Sequence, residues 1–220
     1  MLCYIHKMAA CVYDLEDLGL EACAGALAEA LISGALAVFP TDTVYGLAAS
    51  VLRPAAVRGI FDLKGREAAK SLVVMVQGAE AAEDLVSEQA LPALRRLAPF
   101  WPGALTIVAP RRPSLRWAEE VAPGKSTLGL RVPDHPLALA LASAAGPLAV
   151  TSANLSGMPA PCLFEEVQPA LLEEARAACR SRMPGSGLPS TIVEIGPGGL
   201  KLLRPGPVDF DLVESRWLGG

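Results

Sequence analysis

The chain has 220 residues and a formal net charge of −4, with 52% hydrophobic, 19% charged and 5% aromatic residues. That is ample material for a core and no case for disorder, and the acidic balance excludes a surface that attracts nucleic acid by bulk positive charge. Five scattered cysteines without a Cys-x-x-Cys pair indicate neither a zinc site nor a disulfide framework, and no stretch approaches the ~18 uninterrupted apolar residues of a membrane span. The N-terminus lacks a basic region followed by an apolar core, so a cytoplasmic protein with reduced thiols is expected. With few aromatics, Ala, Val, Leu and Ile must build the core, which suits a mixed sheet under Ala/Leu-rich helices.

In chain order, residues 1–20 read as a lead-in with a possible strand, and 21–33 as an Ala-rich helix stopped by Gly34. Residues 35–39 form a short apolar strand, and Pro40, which has no N–H, ends its pairing. Thr41, Asp42 and Thr43 follow just past the carboxyl end of that strand, where open α/β sheets bind ligands, although an ordinary polar turn reads the same way. Gly46 permits a turn or a close approach. Residues 54–64 read as a helix with Pro54 in its first turn and Gly65 as its cap, and 71–77 as a strand. Strand, loop, helix, strand is the pattern of an α/β layered domain.

Helices are expected over 79–87 and 90–98, then a sharp turn at 100–103 into a strand at 104–109. A basic loop carrying Arg111, Arg112 and Arg116 leads to a strand at 127–132 with Arg131 among apolar neighbours. Pro133 to Pro136 breaks it and launches a helix over 137–145. A strand at 147–151 ends in a second small polar loop at 152–157. An amphipathic, Glu-rich helix is expected over 164–178, a loop at 185–187, and a strand at 192–195 before the stretch 201–204 and Pro205-Gly206. No internal repeat or linker interrupts this, so one domain over 1–220 is expected.

Three groups of residues carry chemistry. Lys64, Arg66 and Lys70 crowd the exit of a helix: they complement its dipole, and a lysine point charge beside a planar arginine also suits a polyphosphate. No Walker loop is present. Arg131 is either an outward-facing strand residue or a cavity residue paired with a carboxylate. The pairs Thr41/Thr43, Ser152/Asn154 and Ser190/Thr191 all sit at expected strand ends, each alone an ordinary turn, together a sign of one cleft. His135 reads as a turn residue, Ser152 lacks a Ser-His-Asp arrangement, and no acidic pair stands out as a metal cage. Any Mg²⁺ would come with nucleotide phosphates and keep most of its waters.

Seven segments, in order, resemble the YrdC/Sua5 family of threonylcarbamoyl-AMP synthases. They are Phe39-Pro-Thr-Asp-Thr-Val-Tyr-Gly-Leu47, Lys64-Gly-Arg66, Trp101-Pro-Gly-Ala-Leu-Thr106, Leu130-Arg-Val-Pro-Asp-His-Pro136, Thr151-Ser-Ala-Asn-Leu-Ser-Gly157, Pro189-Ser-Thr-Ile-Val193 and Leu203-Arg-Pro-Gly206. They cover about residues 20–210. The resemblance implies an α/β fold with a twisted, mixed parallel and antiparallel sheet and flanking helices around a deep electropositive cavity. It implies a nucleotidyltransferase that condenses L-threonine, bicarbonate and ATP, with Mg²⁺, into threonylcarbamoyl-AMP and pyrophosphate. That product would pass to downstream threonylcarbamoyl-transferase machinery for the t6A modification at tRNA position 37. Because the chain ends soon after the last segment, the short, single-domain form is expected.

By position, the resemblance makes Lys64 and Arg66 the catalytic cations at the nucleotide phosphates. It puts Thr127, Ser152, Asn154 and Arg204 also on the ATP side, and Thr41, Val73, Arg131, Val150 and Ser190 on the threonine side, with Arg131 at the carboxylate. Three positions depart from the family: Glu67 stands where Pro is usual, Lys70-Ser71-Leu72 replaces Lys-Pro-Leu, and Thr151 replaces the Pro before Ser-Ala-Asn. A competing reading is a module binding tRNA or double-stranded RNA without catalysis, which the acidic composition and the lack of interleaved aromatics weaken. A carbamoyl-adenylate transferase domain detached from a larger enzyme is a third, and the absence of zinc-finger cysteines counts against it.

Overall fold

The computed structural model describes residues 10–65 and 70–219. Among the described residues ten strands pair into one mixed sheet: β1 (Cys11–Asp14), β2 (Leu36–Phe39), β3 (Gly46–Ser50), β4 (Val73–Met75), β5 (Leu105–Pro110), β6 (Thr127–Arg131), β7 (Leu148–Ser152), β8 (Ala175–Arg180), β9 (Thr191–Gly196) and β10 (Gly199–Arg204). Their spatial order is β1-β8-β2-β3-β7-β4-β6-β5-β9-β10. The pairs β1/β8, β2/β8, β4/β6 and β5/β9 are parallel, and the remaining neighbours are antiparallel. This is the mixed α/β architecture expected above.

The helices are α1 (Leu15–Leu18), α2 (Leu20–Ile32), α3 (Pro54–Lys64), α4 (Ala79–Glu83), α5 (Leu91–Leu97), α6 (Ala118–Val121), α7 (Pro136–Ala145), α8 (Pro169–Glu174) and α9 (Phe210–Leu218). Two of them cover one end of one sheet face. Leu27 and Leu31 of α2 and Leu137 and Leu141 of α7 are fully buried, packed with Ala37, Phe39, Ala48 and Ala177 of β2, β3 and β8. Each such leucine contributes roughly 1.5–3 kcal/mol by leaving water. The opposite face carries the larger core, where Val38, Leu47, Val74, Ile107, Leu130 and Val193 meet Val57 and Ile60 of α3, Leu94 of α5 and Val213 of α9.

Local signals explain α3 well. Pro54 occupies the first turn, where its missing N–H has no helical partner to lose, and Gly65 ends the helix in left-handed backbone at φ 55°. The stretch 164–178 is different and corrects the expectation of one amphipathic helix. It folds as a 3-10 turn at Phe164–Glu166, the short α8 starting at Pro169, and strand β8. A proline inside a long helix would clash with the preceding turn, and Ala175, Ala177, Ala178 and Cys179 are small enough to lie buried between β1 and β2. Elements not anticipated are the short helices α1 and α6, β3, whose five residues are all buried, and α9, whose N-cap Asp209 accepts a hydrogen bond from the Asp211 N–H.

Pairing register puts Ser152 and Val150 of β7, Val73 and Met75 of β4, Gly129 and Arg131 of β6, Thr106 of β5 and Ile192 of β9 on a common face. Side chains alternate along each strand, so this one register carries the floor of the site.

Candidate active site

Two cavities lie on that face, and among the described residues none that lines them belongs to a helix. The first, about 180 Å³, is lined by Thr41 and residues 43–46, which follow β2, and by Val73, Met75, Arg131, Val150, Ser152, Ser190 and Arg204, among others. The second, about 290 Å³, is lined by Lys125, Thr127, Gly129 and Glu194, among others. Ser71, Val73, Thr106 and Ile192 line both, so the two adjoin.

Arg131, only 4% exposed, is the cavity residue paired with a carboxylate. Its Nη2 lies 2.7 Å from both Oδ1 and Oδ2 of Asp42, Nη1 donates to Thr43 Oγ1 at 2.9 Å, and Nε donates to the Gly103 carbonyl at 3.1 Å. Burial lowers the guanidinium from its ordinary pKa while the Asp42 charge acts the other way. An arginine cation stays charged in any such setting. At least one N–H, on Nη1, is not directed at these partners.

The hydroxyls beyond Arg131 form a chain whose direction can be deduced. Thr41 Oγ1 donates its one proton to the Val44 carbonyl at 2.6 Å. The 3.0 Å bond between Thr41 and Thr43 must therefore be donated by Thr43. Thr41 Oγ1 also accepts from the Thr43 and Val44 N–H groups at 3.2 and 3.3 Å. The Thr41 hydroxyl is thus engaged within its own turn. The segment 185–187 lies along the outside of this turn, with the Ser186 and Gly187 N–H groups donating to the carbonyls of Asp42 and Thr43.

On the other side of the cavity, Arg204 Nε and Nη2 donate to the Ser190 carbonyl, and Nη2 also to Ser190 Oγ at 3.2 Å. Ser190 Oγ shares a 2.8 Å hydrogen bond with Thr106 Oγ1. Gly206, two residues after Arg204, leaves no room for a side chain, because a Cβ there would stand 2.4 Å from the Thr191 nitrogen.

Lys64 stands behind Ser152 rather than in the cavity lining. Buried at 4% exposure, its Nζ donates to the Ser152 carbonyl and to Asn154 Oδ1. Asn154 Oδ1 also accepts from Ser152 Oγ, and its Nδ2 donates to the carbonyls of Leu155 and Met158. Asn154 therefore joins Lys64 to the loop after β7.

The structure brings Thr41, Val73, Arg131, Val150, Ser152, Ser190 and Arg204 to the first cavity and Thr127 to the second. Lys64 and Asn154 support the wall behind Ser152. Thr191 does not join them: it is fully buried and bonded to the Val208 backbone. Arg66 and Glu67 lie outside the described residues. Thr43, one of the strand-end hydroxyls singled out in the sequence, also lines the first cavity, whereas Asp42 and Thr106 received no individual site role although both lie within the quoted segments. His135 precedes α7 with a buried Nδ1 that has no hydrogen-bond partner among the described residues. No group of three or more His, Cys, Asp or Glu that could hold a metal occurs among the described residues.

Residues 29–206 match the Sua5/YciO/YrdC family, described as "Telomere recombination". The chain is 38% identical over 178 residues to the threonylcarbamoyl-AMP synthase of Bacillus subtilis, covering 80% of this chain and 51% of that relative. It is 35% identical over 184 residues to the putative threonylcarbamoyl-AMP synthase of Mycobacterium tuberculosis, covering 84% of each. Among solved structures, Pyrococcus abyssi Sua5 complexed with L-threonine superposes with a TM-score of 0.83 at 30% identity, covering 94% of this chain and 61% of that one. The chain thus spans about half the length of the B. subtilis relative and most of the mycobacterial one.

Proposed function

The chain belongs to the Sua5/YciO/YrdC family, and we propose that it is an L-threonylcarbamoyladenylate synthase using L-threonine, bicarbonate and ATP. The observation that carries this reading is the junction of two cavities on one sheet face. One is flanked by Arg131 and Arg204 with their hydroxyl partners, and the other holds Thr127. A small zwitterion and a nucleotide could meet there without a covalent enzyme intermediate. The synthase names of the relatives and the threonine complex of P. abyssi Sua5 support this over the RNA-binding reading.

In the proposed reaction the threonine carboxylate meets a remaining N–H of Arg131. The amine nitrogen attacks bicarbonate, and loss of water gives the carbamate. A carbamate oxygen then attacks the α-phosphorus of ATP, and the bond to the β-phosphate oxygen breaks to release pyrophosphate. Positioning and fixed charge accomplish most of this, which fits a cavity whose described residues include no nucleophile–base pair. Lys64 and Arg66 are assigned to the phosphates, and Ser152 to the edge between the two ligands. Mg²⁺ fits as a metal carried by the phosphates rather than by protein ligands, given the absence of a ligand cluster among the described residues. When bound it would offset phosphate charge. A separate threonylcarbamoyl transferase would then take the adenylate to tRNA in the cytoplasm.

The test is pyrophosphate release by the purified protein with ATP, Mg²⁺ and bicarbonate, with and without L-threonine, beside Lys64→Ala. Threonine-dependent release that the variant loses is expected. A folded protein that releases none overturns the reading.

A further inference from the structure

Two arginine–hydroxyl chains flank the first cavity, and they end differently. One runs from Arg131 Nη1 through Thr43 and Thr41 to the Val44 carbonyl, so every proton along it has a protein acceptor. The other runs from Arg204 Nη2 to Ser190 Oγ and on to Thr106 Oγ1. Two hydroxyls carry two protons, and the single bond between them uses one. Thr106 and Ser190 have no further hydrogen bond from their hydroxyls among the described residues. One O–H is therefore left for something in the cavity. Donation by the Arg204 cation makes Ser190 the better donor to Thr106, since successive hydrogen bonds polarise one another. The spare proton then belongs to Thr106.

Thr106 is also placed for such a role. It is 1% exposed by residue surface, yet it lines both cavities. Its methyl carbon lies against Gly129, 3.4 Å from where a Cβ on that glycine would be. The neighbouring glycine leaves the floor open at this point, and the hydroxyl is held by Ser190 on the adjoining strand.

We infer that Thr106, where the two cavities meet, donates the terminal hydrogen bond of the Arg204–Ser190–Thr106 chain to a carboxylate-type oxygen of the substrate. This rests on the function proposed above. The acceptor is bicarbonate or the carbamate formed from it, because that group must lie between the amino acid and the α-phosphate. A buried hydroxyl aimed there fixes the oxygen's orientation and stabilises its charge.

Pyrophosphate release at varied bicarbonate tests this, comparing wild type with Thr106→Val, which keeps the branched shape, and Thr106→Ser, which keeps the hydroxyl. Thr106→Val is expected to lose on the order of 10- to 100-fold in kcat/KM for bicarbonate, the effect of one hydrogen bond to a charged group. Its affinity for a non-hydrolysable ATP analogue should stay within about twofold, and Thr106→Ser should retain most of the activity. A rise confined to the KM for bicarbonate assigns the contact to bicarbonate, and a fall in kcat assigns it to the carbamate. Wild-type turnover that Thr106→Val leaves unchanged overturns the inference alone, as does a Thr106→Ser variant impaired to the same degree. Absence of threonine-dependent release in wild type overturns the proposed function and this inference with it. Should Thr106→Val not fold, Thr106→Ala with Thr106→Ser as its control decides by the same criteria.

Discussion

Arg131 faces both carboxylate oxygens of Asp42 through a single nitrogen, Nη2, at 2.7 Å to each. The side chains are 5% and 15% exposed, so the pair is largely shielded from water. Asp42 fixes the guanidinium of Arg131, which lines the first cavity and keeps an Nη1 N–H that none of these partners uses. Removing one partner strands a buried charge. Arg131→Met should destabilise the protein by about 3 kcal/mol, read as a lower midpoint of urea unfolding. Asp42→Asn, which keeps shape and part of the hydrogen bonding, should cost less stability but raise the KM for threonine. Equal stability losses in the two variants would contradict this account.

Thr41 gives the opposite kind of residue, one whose hydroxyl works for the turn. Its oxygen accepts from Thr43 and Val44 and donates to the Val44 carbonyl. Thr41→Val leaves two N–H groups without that acceptor and should cost about 1–3 kcal/mol, with activity falling in step with loop order. Thr41→Ser should recover both. Measured thermal midpoints that fail to track activity across this pair would show that the hydroxyl acts on the ligand directly.

Lys64 and Asn154 share one network through Asn154 Oδ1 and the Ser152 residue. If Asn154 acts by positioning Lys64, the two effects overlap. Lys64→Ala should reduce pyrophosphate release by about 100-fold or more, and Asn154→Ala by about tenfold. The double variant should resemble Lys64→Ala alone. Multiplying losses would mean that Asn154 reaches the nucleotide independently.

His135 supplies a pH dependence. Burial pushes its imidazole below the ordinary histidine value, against the pull of Asp42 and Asp134. The folded protein thus binds this proton less readily than the unfolded chain. As pH falls through about 6.5, the unfolded chain takes up the proton first, and folding stability drops. Above that pH both states are neutral and the contribution is flat. Wild type should therefore lose more stability than His135→Asn between pH 7 and 5, as measured by chemical denaturation. A constant difference between the two across that range would refute it.

Several features were legible in the sequence because their causes are local. The continuous apolar run before Pro40 marks a buried strand, and the bounds of α3 follow from Pro54 and Gly65. Small polar residues just past strand ends mark the cavity wall, and the ordered motifs name the family. Other features depended on tertiary structure. Ala175–Arg180 has helix-forming residues, but pairing with β1 and β2 outweighs that weak preference. The roles of the site's hydroxyls depend on partners far away in sequence. Arg131 and Asp42 are 89 residues apart, and Thr106 and Ser190 are 84. Residue type says that a threonine can donate one proton and accept others. Only the folded chain decides whether that proton ends on a carbonyl, as at Thr41, or is left for a ligand, as at Thr106.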